Sequence, residues 1–139
     1  MSANPRAAQA WRLMFDFLMR SSPQRLESLE KRKLTPNDTR ALFTLQDGNE
    51  KPIGALAEEW NCDPSTATWL VDRLERAGLV NRIASTEDRR KKLVRLTKKG
   101  AKTKHDLMAE YYRPPSDLDT LTDDELDDLV ALLGKLSAG

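Results

Sequence analysis

The sequence has very little cysteine and histidine and no long apolar run, and each shortage excludes a class of protein. Cys62 and His105 are single examples of their types, which excludes an internal disulfide and a zinc cluster of cysteine and histidine. No apolar stretch approaches the roughly 20 residues that a membrane-spanning helix needs, and the first residues lack a signal-peptide pattern. We therefore expect a cytoplasmic protein without a cofactor.

The sequence also lacks the arrangements on which catalysis depends. It contains no nucleophile placed beside a base and no glycine-rich phosphate loop, with only 6 glycines in 139 residues. The hydrophobic share of 39% and the charged share of 32% are typical of one globular domain with a strongly solvated surface. An enzyme is therefore the least favoured of the function classes.

Charge is present in abundance but is unevenly distributed. The formal net charge is only +1, yet ten bases and two acids (Glu87 and Asp88) lie between Arg82 and Lys104, and seven acids between Asp117 and Asp128. A charged run is usually a solvated face, but the basic run coincides with a predicted hairpin. One part of the molecule is therefore suited to bind a polyanion such as duplex DNA.

Cap signals and apolar periodicity predict a mainly helical chain with a small β-wing. Asp63-Pro64 begins a helix that ends at Ala77-Gly78, where glycine suits the left-handed conformation. The other predicted helices cover Pro5 to Ser21, Gln24 to Lys33, Thr35 to Gln46, Pro52 to Trp60, Lys98 to Tyr112, and the segment behind the capping box Thr122 to Glu125. The apolar stretches Leu79 to Ile83 and Lys92 to Leu96 are expected to pair as an antiparallel hairpin.

This order is that of a winged helix-turn-helix: two short helices, the second amphipathic, followed by a basic hairpin. Residues 35–100 are assigned to this lobe and residues 1–21 and 101–139 to a helical dimerisation region, within a single domain of 1–139. The first and last helices carry apolar stripes that so short a chain can scarcely bury alone. A twofold homodimer would cover them and present two recognition helices to one palindromic duplex.

The same segment resembles the MarR family of bacterial transcriptional regulators. The similarity spans about Thr35 to Gly100, and its motifs are Ile53-Gly54-Ala55-Leu56-Ala57, Asp63-Pro64-Ser65-Thr66-Ala67-Thr68, Leu70-Val71-Asp72-Arg73-Leu74-Glu75, Gly78-Leu79-Val80, Asp88-Arg89-Arg90 and Leu96-Thr97-Lys98-Lys99-Gly100. The resemblance implies a homodimeric winged helix-turn-helix protein that binds pseudo-palindromic DNA and is released by a small aromatic effector.

The face of the second helix that points away from its apolar stripe is the candidate reading surface. Short hydroxyls near a helix N-terminus can meet phosphates or base edges, although they also serve as ordinary first-turn residues. Arg73 is the expected base or phosphate contact, with a surface pair to Asp72 or Glu75 as the alternative. Trp69 packs either on sugar or a thymine methyl, or against the wing or a neighbouring helix. The candidate residues of this helix are Ser65, Thr66, Thr68, Trp69, Arg73 and Arg76.

In the hairpin, Asp88-Arg89-Arg90 stands where the family has an Asp-any-Arg element. The resemblance suggests that Arg90 enters the minor groove, whose negative potential attracts guanidinium, while Asp88 holds that side chain in place. Arg89 and Lys91 are expected to be nonspecific phosphate contacts. Asp72 would be repelled by phosphate and is expected to fix an arginine instead.

Three further predictions concern small molecules. By analogy with the family, a ligand pocket would lie between the dimerisation helices and the winged lobe, although such stripes are more often plain core. Cys62 is expected to be a buried structural residue rather than a redox switch, and His105 a solvated group that binds no metal. The candidate ligand residues are Trp11, Met14, Phe15, Leu18, Met108 and Tyr111.

The favoured function is a sequence-specific DNA-binding transcriptional regulator, and specifically a homodimeric repressor of a pseudo-palindromic operator. The alternative is a winged-helix module that binds another protein and has lost specific DNA binding. An acidic or apolar recognition face would mark that alternative, whereas this helix carries hydroxyls and arginines.

Overall fold

A computed structural model of the chain describes residues 4–137, so the ends of the predicted dimerisation region, 1–3 and 138–139, lie outside the described residues. The elements are α1 (Pro5–Arg20), α2 (Ser22–Glu30), α3 (Pro36–Thr44), β1 (Lys51–Pro52), α4 (Ile53–Glu59), α5 (Pro64–Arg76), β2 (Val80–Ala84), β3 (Lys92–Leu96), α6 (Lys98–Tyr111), a 3₁₀ turn (Ser116–Thr120) and α7 (Asp123–Ser137). The predicted fold class, mainly helical with a β-wing, is confirmed.

The helix starts follow the cap residues that the sequence supplies. The Thr35 hydroxyl accepts from the Asp38 backbone N–H at 3.1 Å, and the Asp38 carboxylate accepts in return from the Thr35 N–H at 2.9 Å. A matching capping box joins Thr122 and Glu125 at the start of α7. Each box satisfies donors that a helix N-terminus otherwise leaves unpaired.

Some predicted boundaries were wrong by a few residues. Helix α2 starts at Ser22 and ends at Glu30, where the prediction began at Gln24 and ran to Lys33. Helix α3 ends at Thr44, two residues before the predicted Gln46. Pro52 belongs to a two-residue strand instead of beginning α4, because the extended backbone before Ile53 pairs with the hairpin.

The wing is a three-stranded antiparallel sheet in the order β1-β3-β2. The register of the hairpin places Val80 opposite Leu96 and Ala84 opposite Lys92. β1 adds to the other side of β3, with Lys51 opposite Val94 and Pro52 opposite Leu93. Glycine at 78, with φ of +78°, makes the left-handed turn that connects α5 to β2, as the sequence predicted.

One core joins the winged lobe to α6. The apolar face of α5 is buried through Ala67, Leu70, Val71 and Leu74. Trp60 is 2% exposed, and its indole N–H donates to the Thr44 hydroxyl at 2.6 Å, which ties the end of α4 to α3. Helix α5 is therefore packed against the core along its apolar face.

The terminal helices stand apart from that core. Along α1 and α7, both described over their full length, no side chain is buried. The large apolar side chains that they leave in water include Trp11, Leu13, Phe15, Val130, Leu132 and Leu136. In the described part of the chain, no helix is long and apolar enough to cross a membrane.

Candidate nucleic-acid interface

The N-terminal end of α5 presents short hydroxyls to solvent. The Asp63 carboxylate caps the helix by accepting from the Thr66 backbone N–H at 2.9 Å, and it also accepts from the Ser65 hydroxyl at 3.1 Å. These bonds hold the pKa of Asp63 below its usual value. Ser65 and Thr66 are exposed, whereas the half-buried Thr68 donates its hydroxyl to the Pro64 carbonyl at 2.9 Å. Ser65 and Thr66 thus have the accessibility that a DNA contact requires, while already supporting the cap.

Arg73 is not paired with Asp72 or Glu75, which the sequence suggested as alternatives to a DNA contact. Its Nε and Nη2 donate to the two oxygens of Asp38, at 3.0 and 2.8 Å. Asp38 is 1% exposed, whereas the Arg73 side chain keeps 32% of its surface in water. The two-point geometry commits this guanidinium to α3, because a carboxylate that is out of water needs its charge compensated.

The pKa of Asp38 reflects this pairing. Burial alone would raise the pKa, but the hydrogen bonds from Arg73 and Thr35 outweigh it and leave the pKa below its ordinary value. The same contact raises the pKa of Arg73. Both groups are therefore charged across the physiological pH range.

Trp69 lies beside Arg73 on the same stripe of the helix and is 53% exposed. The Arg73 guanidinium carbon lies 5.1 Å from the centre of the Trp69 ring, within the range of a cation–π contact. The structure thus places the indole on the solvent face with an arginine against it.

The predicted role of Asp72 in fixing an arginine agrees with the structure, but the arginine is Arg82 of β2. Its guanidinium donates to Asp72 at 2.7 Å and to Glu75 at 2.5 Å. These two ion pairs, together with the turn at Gly78, tie the first strand of the wing to the recognition helix. Arg82 is therefore unavailable as a simple phosphate contact.

The tip of the hairpin is an ordered turn. The Ser85 N–H donates to the Lys91 carbonyl at 2.9 Å, and the Lys91 N–H donates to the Asp88 carbonyl at 2.9 Å. One oxygen of the Asp88 carboxylate accepts from the Arg90 backbone N–H at 3.0 Å and from its Nε at 3.3 Å. The Arg90 side chain is nonetheless 92% exposed, so the turn holds a cation at its outer edge.

The remaining candidate bases divide into exposed and committed groups. Arg76, Arg89 and Lys91 are exposed. Lys99 donates to the Ala77 carbonyl at 2.9 Å and Lys102 to Asp106 at 2.8 Å, while Lys104 donates to the Leu45 carbonyl. Arg89, Arg90 and Lys91 together form an exposed cationic cluster at the wing tip.

The six candidate ligand residues do not meet in one cavity of the single chain. Met14 and Leu18 line a groove of about 710 Å³ between α1 and α7. Tyr111 lines a different groove of about 520 Å³, with Phe43, Arg40 and Arg25. Trp11 and Phe15 are on exposed surface and contact each other with ring centres 6.0 Å apart, and Met108 is half-buried on α6.

His105 lies on the surface as expected, whereas Cys62, expected to be buried, is only partly buried. Cys62 is partly buried against the core, and His105 is exposed on α6. Among residues 4–137, no group of three histidine, cysteine or acidic side chains is arranged to hold a metal ion. Neither residue contributes to the surface described above.

Both the sequence and the fold of this chain are similar to those of known proteins. The model of the MarR family matches residues 34–92, which contain the helix-turn-helix and the hairpin up to Lys92. A MarR family protein from Bacillus stearothermophilus has the same fold, with a TM-score of 0.79 and 26% identity over 98% of this chain and 96% of that one. Residues 34–92 of this chain therefore form a MarR family domain.

Two further relatives indicate what such MarR proteins do. The HTH-type transcriptional repressor MdtR of Bacillus subtilis (strain 168) is 36% identical over 78 residues, 56% of this chain and 50% of MdtR. The Staphylococcus aureus MepR–DNA complex, at 21% identity, shares the fold with a TM-score of 0.67 over 89% of this chain and 98% of that one. The chain spans about half the length of the curated relatives it matches, and those relatives are named as transcriptional repressors.

Sequence reasoning missed Asp38 as a partner of Arg73 and Arg82 as the link between wing and helix. Asp38 lies 35 positions before Arg73 in the sequence. Local periodicity carries no information on such pairings. The sequence signals only the capping role of Asp38, three residues after Thr35, whereas its need for a cation follows from burial that only the structure shows.

Proposed function

We propose that this MarR protein is a sequence-specific DNA-binding transcriptional regulator that acts as a repressor on a pseudo-palindromic operator. The observation that carries the proposal is the arrangement of two surfaces in one lobe. An exposed guanidinium, Arg90, stands at the tip of the wing, and an exposed hydroxyl-bearing end of α5 lies on a helix that Arg82 ties to that wing. A helix of this kind suits the major groove and a guanidinium suits the minor groove beside it.

In this proposal the helix reads sequence and the wing supplies salt-dependent affinity. Ser65 and Thr66 would contact base edges or phosphates, Arg76, Arg89 and Lys91 would neutralise phosphates, and Asp88 would hold Arg90 in its extended position. The half-buried Thr68 supports the helix start through its bond to Pro64. Arg73 is assigned a positioning role, because its carboxylate partner occupies it.

The acting form would be a homodimer built by α1 and α7. Both helices leave apolar side chains in water along their whole length, which is a costly arrangement for a single chain. A second copy would cover these stripes and place two lobes on one duplex, with half-sites about one helical turn apart.

A small aromatic effector would regulate this dimer. The groove of about 520 Å³ at the junction of α2, α3 and α6 is the better candidate site in a single lobe, because it combines Phe43 and Tyr111 with Arg25 and Arg40. An effector that binds best when the two recognition helices have a spacing unlike the DNA-bound one would lower DNA affinity by population shift. Met19 of α1 also lines this groove, whereas the α1 candidates Trp11, Met14, Phe15 and Leu18 do not line it within one chain.

The test is fluorescence anisotropy on a palindromic site taken from the region upstream of the gene for this protein. Wild type should bind tightly and lose affinity steeply as salt rises, since each neutralised phosphate releases counterions. Arg90→Ala should weaken binding by about tenfold or more, because a minor-groove guanidinium is lost. Arg113→Ala, which removes an exposed arginine at the end of α6, should bind as wild type does.

Two results would count against the proposal, in different ways. Equal affinity of Arg90→Ala and wild type would overturn the role of the wing. Failure to bind any duplex at low salt would overturn DNA binding altogether and favour the protein-interaction module.

A further inference from the structure

Trp69 is an unusual residue for the surface on which it lies. It occupies the same stripe of α5 as Ser65 and Arg73, at intervals of four residues, and the exposed residues near the start of the helix include the hydroxyl-bearing Ser65 and Thr66. About half of its surface is in water. Tryptophan is enriched at binding interfaces because its ring buries a large apolar area, so an indole in this position is suited to pack against a bound partner.

The indole is held in place by a chain of contacts that runs into the core. Arg73 stacks on the ring at 5.1 Å. The same guanidinium is fixed by two hydrogen bonds to the buried Asp38, whose carboxylate also accepts from the Thr35 N–H that begins α3. Through Arg73, the exposed indole is thus connected to the buried start of α3.

The chemistry of the major groove limits what such a ring can contact. Base edges there present hydrogen-bond donors and acceptors, and the apolar group among them is the C5 methyl of thymine. We propose that Trp69 is a specificity-determining residue that packs against a thymine methyl in each half-site. Arg73 is a positioning residue that holds the indole ring in the orientation required for this contact.

This inference rests on the proposed DNA-binding function and adds the identity of one base that the helix selects. The hydroxyls of Ser65 and Thr66 hydrogen-bond to any suitable edge or phosphate, whereas an indole packs on a methyl without needing a donor or acceptor. Trp69 would therefore supply selectivity that the neighbouring polar residues do not supply.

The experiment uses the full chain and a duplex selected by it from random sequence. Each thymine of one half-site, and its symmetry mate, is replaced in turn by uracil, which removes the methyl group alone. Wild type should lose affinity by about three- to fivefold for each removed methyl at one thymine position, and little elsewhere. Trp69→Ala should bind the thymine duplex about tenfold more weakly and should no longer distinguish thymine from uracil at that position.

Arg73→Lys tests the positioning role. Lysine keeps the positive charge beside Asp38 but lacks the planar fork. If Arg73 merely stabilised the fold, this variant would lose affinity for both duplexes equally and keep the thymine-to-uracil ratio. We expect the ratio to fall towards one, with the circular dichroism spectrum and the thermal midpoint of the lysine variant showing a folded protein.

Tyr112→Ala is the matched control, because Tyr112 is an aromatic residue with 74% exposure at the end of α6. It should keep wild-type affinity and the wild-type ratio. Thymine and uracil duplexes bound equally by wild type would overturn the thymine contact, even if Trp69→Ala binds weakly through loss of a sugar contact. Absence of all DNA binding by wild type would remove the proposed function as well, so the two failures are distinguishable.

Discussion

Charged side chains in this chain connect elements that are distant in sequence, and the Glu110 carboxylate binds three groups at once. It accepts from Lys31 at 2.7 Å and from Arg32 at 2.5 Å, and the Ser28 hydroxyl donates to it at 3.2 Å. All three partners belong to α2 or its end, whereas Glu110 lies on α6. The cluster therefore fixes α2 against the helix that leaves the winged lobe.

This cluster makes the stability of the fold depend on pH. The hydrogen bonds from Lys31 and Arg32 lower the pKa of Glu110 from its ordinary 4.5 to about 2. Because the folded pKa is depressed, the stabilisation is complete above pH 4.5 and is lost as the pH falls towards 2. Glu110→Gln should lower the free energy of unfolding at pH 7 by about 1–2 kcal/mol, after screening at the half-exposed Lys31 is allowed for.

Urea denaturation at pH 7 and at steps from pH 4.5 to 2.5 measures this effect. The stability of Glu110→Gln should fall less steeply over the acid range than that of wild type, so that the two curves converge. Glu58→Gln, a change at an exposed glutamate of α4, is the control. Parallel curves for Glu110→Gln and wild type would show that the cluster contributes nothing to acid unfolding.

At the scale of elements, the contact between α6 and the start of β2 depends on the absence of a side chain. A Cβ at Gly100 would lie 1.9 Å from the carbonyl oxygen of Leu79. That same carbonyl accepts from the Thr97 N–H at 3.0 Å, and the Thr97 hydroxyl donates to the Gly78 carbonyl at 2.6 Å. The backbone of α6 is thus held directly against the backbone of the turn.

Gly100→Ala should therefore destabilise the protein by about 1–3 kcal/mol or more, because backbone would have to move to admit the methyl group. Gly54→Ala is the matched control, since a Cβ there would meet no atom within 4 Å. It should raise stability by about 0.4–1 kcal/mol through reduced freedom of the unfolded chain. Thermal unfolding followed by circular dichroism distinguishes them, and equal midpoints would contradict the close approach.

Elements with local signals were predictable, and those that depend on distant contacts were not. Thr35, Asp63, Thr97 and Thr122 each cap a helix as the sequence indicated, because a cap residue and its partner lie within three positions. The strand at Lys51–Pro52 was missed, since two residues carry no periodicity and proline argues against a central strand. The pairing of Arg73 with Asp38 was missed because the two residues are distant in sequence and meet only after α3 and α5 have packed.

For the molecule as a whole, the apolar stripe of α7 is expected to require a second copy. Val130 is 69% exposed and Leu136 71% exposed, on a helix that also carries several acids. Val130→Glu would place a further carboxylate at the proposed interface, where a charge loses its water without gaining a partner. We expect this variant to shift towards monomer by at least tenfold in dissociation constant and to lose DNA affinity in proportion.

Sedimentation equilibrium over a concentration series measures that shift. Asp128→Ala, on the same helix but without added charge, should leave the association intact. A wild-type chain that sediments as a monomer throughout would contradict the proposed homodimer. A dimer that Val130→Glu leaves unchanged would show that the two copies meet through another surface.

The short strand at Lys51–Pro52 limits the addition of strands from neighbouring molecules at high protein concentration. It covers one edge of β3. The outer edge of this strand consists of Lys51, which is charged, and Pro52, which has no N–H to donate. Further strands from neighbouring molecules cannot be added there in a continuous ladder, because charge and a missing donor both interrupt it. The outer edge of β1 therefore does not favour the growth of fibrils through edge-to-edge strand pairing.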